Sequence, residues 1–314
     1  MRSVVMRGFT LLILLTFSSL SMSSDVIRII VNNWTSQIVL SHVTGILLTE
    51  QGEKVELMES SVSAQWGALS HGAAHLQMEV WEGTMSAKFN RLVKAGRIID
   101  LGAHDAKTRE EWWYPSYVED HCPGLPDWKA LKACASVFSQ DGKGKGLYIA
   151  GPWEKPDEAR IRALGLNFNV SVVSKGDDLW VHLKEAYSKK RPTVLFNWTP
   201  NWVESRYEGK FIEFPDYDIA CEKDPKWGVN PNFIHDCGNP KGGWLKKAAW
   251  SEFEAKWPCA SELVKNINLT NQQISNLSAL VDVDGLSHKD AAVKWIEANP
   301  DTWKSWKPTT CSHD

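Results

Sequence analysis

VIRIIVNNW (residues 26–34), SQIVLSHVTGILLTEQG (36–52) and KVELMES (54–60) follow one another without interruption near the start of the chain. The first is an apolar run, broken only by Arg28, that ends in polar residues and reads as a buried strand. The second places Ile38, Val39, His42, Val43, Ile46 and Leu47 at helical spacing and stops at Gly52. The third reads as another strand. A helix over SAQWGALSHGAAH (63–75) and a strand over LQMEVWEGT (76–84) extend the series. Strand, helix, strand, helix, strand is the signature of a parallel α/β sheet, whose ligands bind at the C-terminal strand ends. Trp34 and Trp81 stand at two such ends.

The order recurs downstream. KGLYIAGPW (145–153), a helix over DEARIRALG (157–165), FNVSVVS (168–174), a helix over DDLWVHLKEAYSKKR (177–191) and PTVLFNW (192–198) form a second α/β set. Trp153 and Trp198 close two of its strands. Two lobes, each offering two indoles at strand ends, define a cleft lined from both sides. WWYPSYV (112–118) reads as the first crossing between lobes and YEGKFIEF (207–214) as the second, giving lobe I as residues 25–115 and 212–314 and lobe II as 116–211. AAWSEFEAKW (248–257) and NQQISNLSALV (271–281) read as C-terminal helices.

The chain carries 17 tryptophans and only 10 phenylalanines. A core can be filled with Leu, Ile, Val and Phe, which bring no N–H to satisfy, so the excess of indole points to rings that face something other than core. The formal charge of −3 and a pI near 6.3 provide no basic field for nucleic acid or anionic lipid. No nucleophile–base–acid set stands out, which argues against an enzyme. HGAAH (71–75) lacks the glutamate of a zinc-protease helix and DGKGKGL (141–147) lacks the Lys-Ser/Thr of a phosphate loop. His71 and His75 therefore read as surface or packing residues. Glu82, beside Trp81, together with Trp113 and Trp202, are further candidates for contact with a ligand.

Arg2 and Arg7, the apolar run Phe9–Leu20 and the small residues Ser21–Ser24 have the order of a secretory signal peptide, over residues 1–24. The run is too short to span a bilayer. Cys122, Cys134, Cys221, Cys237, Cys259 and Cys311 all lie beyond it, an even number suited to an oxidising compartment. Of the fifteen pairings, the sequential one closes a reasonable loop each time: Cys122–Cys134, Cys221–Cys237 and Cys259–Cys311. Free thiols are the alternative. Between Cys221 and Cys237, the oxygens of Glu222, Asp224, Asn230, Asn232 and Asp236 suit a structural Ca²⁺, or else a solvated polar loop.

NNWTSQ, EVWEGT, WWYPSYV, GPWEKP and FNWTPNWV, in that order, resemble the substrate-binding proteins of bacterial ABC transporters for glycine betaine, choline and related osmolytes. The resemblance covers nearly all of the chain beyond the signal. It implies a two-lobed periplasmic binding protein of type II, monomeric, that holds a methylated ammonium in the cleft and hands it to a permease in the inner membrane, with no cofactor. Carried over residue by residue, the aromatic box falls on Trp34, Trp81, Trp153 and Trp198. The all-tryptophan set is most similar to members that bind trimethylamine N-oxide, and Ser36 stands where choline binders have an acidic residue. Glycine betaine, choline, carnitine and dimethylsulfoniopropionate are the alternatives. A secreted carbohydrate-binding or carbohydrate-active protein is the rival from another class, since indoles also stack on sugars. A methylated ammonium donates no hydrogen bond, so its useful partner is the negative face of a ring, tryptophan best.

The mature protein is expected to begin near Asp25 with all six cysteines oxidised. Intact-mass measurement before and after alkylation checks both; a retained leader or six alkylated thiols would contradict them.

Overall fold

The structure, a computed structural model, describes residues 25–309 and 311 apart from 141, 143 and 154. The proposed signal peptide lies outside the described residues. Strands β1 (Ile27–Val31), β2 (Val55–Glu59) and β3 (Leu76–Trp81) alternate with helices α1 (Thr35–Glu50) and α2 (Gln65–Ser70). Helix α3 (Glu82–Lys94) then leads into β4 (Ile98–Pro115). A short α4 (Ala130–Cys134) precedes β5 (Gly146–Ala150), α5 (Asp157–Leu164), β6 (Phe168–Val172), α6 (Asp177–Ser188), β7 (Val194–Thr199) and β8 (Gly209–Phe211). The chain closes with β9 (Gly243–Trp250) and helices α7 (Phe253–Lys256), α8 (Pro258–Asn266), α9 (Asn271–Asp282), α10 (His288–Ala298) and α11 (Pro300–Lys304).

The strands run in the order β2-β1-β3-β9-β4-β7-β5-β6, with β8 also on β4. β1 pairs in parallel with β2 and β3, and β5 in parallel with β6 and β7, as the alternating pattern requires. The two parallel sets meet through β4, which reaches from one to the other. Its residues up to Thr108 pair with β9, and those from Arg109 pair with β7 and β8. The C-terminal ends of β1 and β3 thereby face those of β5 and β7.

One feature differs from the sequence reading. AAW (248–250) is strand, not helix: it ends β9, which runs antiparallel between β3 and β4 and is buried or half-buried throughout. Along β4 the ladder passes from β9 to β7 between Thr108 and Arg109. Residues 212–242 make contacts with the second set of strands and helices. The Glu213 N–H donates to the Pro126 carbonyl at 2.8 Å, Phe214 packs edge-on against Trp112, and the Asn230 amide donates to the Ala163 carbonyl at 2.7 Å. A loop-rich stretch has no periodic pattern from which its host lobe can be read.

The three sequential disulfides are present, and no described cysteine is free. The Cys221–Cys237 loop is tied down by its own side chains. The buried Asp236 carboxylate accepts the Asn230 N–H at 2.7 Å, Asp224 accepts the Lys226 N–H at 2.9 Å, and Glu222 accepts the Tyr217 hydroxyl at 3.1 Å. Asn230 Oδ1 accepts the Asn232 N–H at 3.2 Å. Among the described residues, no three or more His, Cys, Asp or Glu side chains gather as a metal ion would require.

Beside the junction in β4, Glu111 and Arg160 form a buried ion pair at 2.6 Å, each side chain 3% exposed. Glu111 also accepts the Asn239 N–H at 2.8 Å, and Arg160 donates to Asn239 Oδ1 at 3.2 Å. Replacing Glu111 with Ala strands a buried guanidinium and is expected to cost about 3–5 kcal/mol of stability. Denaturant unfolding of the variant checks this; a loss under 1 kcal/mol would contradict it.

Candidate functional site

A cavity of about 390 Å³ lies between the two sets of strand ends, lined by Trp34, Trp81, Trp153 and Trp198. Phe196, Trp66 and Met85 complete its apolar wall. Trp34 and Trp153 meet edge to face, centroids 6.3 Å apart at 85°, and Trp153 and Trp198 do so at 5.3 Å and 87°. Trp153 thus stands nearly perpendicular to both Trp34 and Trp198 beside one cavity, an arrangement suited to a compact cation with no hydrogen-bond donor.

Each ring is held from behind. Glu79 lies two residues before Trp81 on β3, on the same side of the strand. Its Oε2 accepts the indole N–H of Trp34 at 2.7 Å, that of Trp81 at 3.2 Å and the Ser36 hydroxyl at 3.0 Å. Burial pushes its carboxyl up to about 7 against the opposing pull of these three donors. The Trp153 N–H crosses between lobes to Asn33 Oδ1 at 2.9 Å. Trp198 packs on Trp180 at 5.1 Å, and Trp180 in turn on Trp202 at 5.7 Å. A seam of buried amides continues behind Glu79: Gln77 Oε1 accepts the Glu79 N–H at 3.1 Å and the Gln37 amide at 2.9 Å.

One side of the cavity is polar. Register places Glu110 on β4 opposite Trp198 on β7, and Glu110 and Thr84 both line the cavity. Thr84 Oγ1 donates to Glu110 Oε1 at 3.0 Å, and Lys155 Nζ stands 3.6 Å from that oxygen, both charged side chains being 7% exposed. Gly83, in the first turn of α3, makes the room: a Cβ there would fall 2.5 Å from Glu110 Oε2. The carboxylate thus rests against a helix N-terminus, which favours negative charge. Lys88 lines the same cavity.

The other sequence candidates lie elsewhere. Trp113 is buried on β4 against Gly209, where a Cβ would fall 1.9 Å from the ring, and it does not line the cavity. Trp202 stands two rings behind the wall. The Glu82 carboxylate accepts the Trp244 N–H at 3.0 Å, away from the cavity. His75 is buried, its Nδ1 accepting the Arg28 N–H at 2.9 Å and its ring 4.8 Å from that of Trp257, while His71 contacts the Gly67 carbonyl. Sequence reasoning missed Phe196 and Glu79, though each lies two residues before a box tryptophan on one strand and so shares its face. It also missed Glu110, which only the β4–β7 register brings to the site.

Residues 25–298 match the family described as "Substrate binding domain of ABC-type glycine betaine transport system". The chain is 36% identical over 301 residues to the trimethylamine N-oxide-binding protein of Pelagibacter ubique (strain HTCC1062), covering 92% of this chain and 93% of that protein. In fold it is similar to the glycine betaine/L-proline-binding protein ProX of Borrelia burgdorferi, with TM-score 0.72, 18% identity, and 91% and 98% of the two chains covered. It is likewise similar to lactococcal OpuAC in its closed form with glycine betaine, with TM-score 0.69, 18% identity, and 90% and 99% covered. The chain belongs to the family of substrate-binding proteins that serve ABC transporters of the glycine betaine type.

Proposed function

We propose that this protein captures trimethylamine N-oxide in its tryptophan cage and delivers it to the membrane permease of an ABC importer. The observation that carries this reading is the convergence of Trp34, Trp81, Trp153 and Trp198 on one cavity whose polar side carries Glu110, Thr84 and Lys88. Four desolvated indole faces at about 1–2 kcal/mol each supply a gross attraction of about 4–8 kcal/mol. Micromolar affinity needs about 8 kcal/mol net of ordering costs, so the oxygen end of the ligand must contribute. Lys88 lines the cavity and offers a donor for that end, whereas the one hydroxyl proton of Thr84 is committed to Glu110. Glu110 on the same wall disfavours a ligand bearing its own carboxylate, which counts against glycine betaine, carnitine and dimethylsulfoniopropionate. Choline is the second reading, because its hydroxyl could donate to Glu110. The identity to a trimethylamine N-oxide-binding relative favours the first.

The signal-like start and the three disulfides, which suit an oxidising compartment, support export to the periplasm as part of this reading. Among the described residues no helix is long and apolar enough to cross a membrane.

Calorimetry with trimethylamine N-oxide, choline, glycine betaine, carnitine, dimethylsulfoniopropionate and an oligosaccharide tests the ligand. Trp198→Ala removes a ring face and opens the wall, and should weaken binding by about 2–4 kcal/mol, or tens- to hundreds-fold. Trp198→Phe should cost less. Trp202→Ala should lower the melting temperature while leaving affinity nearly unchanged. Undiminished binding by Trp198→Ala, or greater damage from Trp202→Ala, would refute the cage; tightest binding of a sugar or a betaine would refute the ligand.

A further inference from the structure

Glu79 is a fully buried carboxyl with no cation against it. Its Oε2 takes three hydrogen bonds, two of them from indoles that line the cavity, while its Oε1 is buried without a hydrogen-bond partner among the described residues. A purely structural acceptor for those donors could as well be an amide, which would avoid the cost of burying an ionisable group. A carboxyl with one saturated and one unpartnered oxygen can instead hold a proton on Oε1 and release it without disturbing the bonds that orient the rings.

We propose that Glu79 is a positioning residue that also supplies the counter-charge of the cage, so that binding of an onium group expels its proton to solvent. This inference rests on the methylated-amine reading above. The balance is simple: protonated Glu79 and the ligand give the carboxylate, the bound ligand and one proton in the buffer. The anion at the N–H edges of Trp34 and Trp81 raises the electron density of the faces they present, and attracts the onium group across a dry gap where charge is poorly screened.

The surroundings leave Glu79 free to respond. α1 and the residue before it bring Ser36 and Trp34, β3 brings Gln77, and α2 brings Gln65, bonded to Gln77; none is charged. The charged groups of neighbouring elements are engaged elsewhere: Lys246 of β9 pairs with Asp100, Lys247 donates to the Lys265 and Ile267 carbonyls, and Asp282 of α9 accepts the Thr35 hydroxyl at 2.8 Å. His104 of β4 contacts the Met78 carbonyl, and burial holds it neutral. Glu110 and Lys88 line the cavity and Lys155 pairs with Glu110, so the Glu79 contribution must be isolated by substitution.

With a carboxyl raised from an ordinary 4.5 to about 7, the protonated form is the one that favours the ligand-free fold. That contribution is complete below about 4.5 and declines as pH rises through 7. Ligand binding works in the opposite sense, preferring the anion, so affinity rises with pH until Glu79 is ionised in the free protein.

Glu79→Gln keeps an oxygen for the two indoles and Ser36 and removes only the charge. Calorimetry with trimethylamine N-oxide and with tetramethylammonium, whose charge is fixed and which has no oxygen, should show parent affinity rising about tenfold from pH 5.5 to 8. At pH 6.5, titrations in buffers of different ionisation enthalpy should report net proton release. The variant should bind about tenfold more weakly at pH 8, with a flat profile and no release attributable to this position. Without ligand, tryptophan fluorescence of the parent should titrate near neutrality and that of the variant should not. Equal affinity and equal pH dependence in parent and variant would overturn the coupling alone. Failure of every methylated amine to bind the parent would overturn the functional reading and the coupling with it.

Discussion

An indole face serves a cation well only where water is excluded, and an indole buried to that degree must place its N–H on an acceptor. That constraint organises the site. Trp34 and Trp81 place theirs on Glu79, and Trp153 on Asn33 of the opposite lobe. Trp198 is held by packing against Trp180 instead. The chain therefore needs a buried polar layer directly behind an apolar cage. Asn32, Gln37, Gln65 and Gln77 provide it, in a seam whose members satisfy one another. Had any of these been left unpaired at that depth, the cost would be of the order of 1–3 kcal/mol per group.

The same arrangement explains why the cage is divided between lobes. Trp34 follows the end of β1 and Trp81 ends β3, while Trp153 follows the end of β5 and Trp198 lies near the end of β7, so each set brings two of the four rings. The Trp153–Asn33 hydrogen bond joins the halves directly across the cavity. β4 joins them covalently, carrying a ladder to β9 on one side and to β7 on the other. A strand shared in this way fixes where the second sheet begins. It also delivers Glu110 to the cavity from the stretch that follows the junction.

Stability away from the cleft comes from conventional sources used in the loop-rich regions. The Cys221–Cys237 bridge closes a loop with little core of its own, and Asp236 turns inward to cap it. The C-terminal helices α9 and α10 lie on α1, leaving that helix covered on both sides and accounting for the burial of Gln37, Ser41 and Thr44 in its middle. Those polar groups are tolerated because each finds a partner: Gln37 and Ser41 reach the Ile30 carbonyl, and Thr44 bonds back to Leu40.

The two parallel α/β sets and the strand-end tryptophans were legible in the sequence, because each is a local signal. Apolar strands, helical spacing and the cysteine separations of 12 and 16 need no knowledge of distant neighbours, whereas the Cys259–Cys311 bridge spans 52 residues. What the sequence could not decide was long-range register. The last three residues of β9, AAW, were read as part of the helix that follows, since nothing in them signals a strand until β3 and β4 flank it. Residues 212–242 are irregular backbone with no periodicity to read, and hydrogen bonds such as those to Pro126 and Ala163 show what they pack against. Trp113 and Trp202 look like box residues in a string of letters, yet one fills the space over a glycine and the other stands two rings back. Glu79 and Glu110 acquire their significance only in three dimensions. Whether a carboxylate faces solvent, a cation or the edge of an indole depends on which strand lies opposite, and that is a property of the folded sheet.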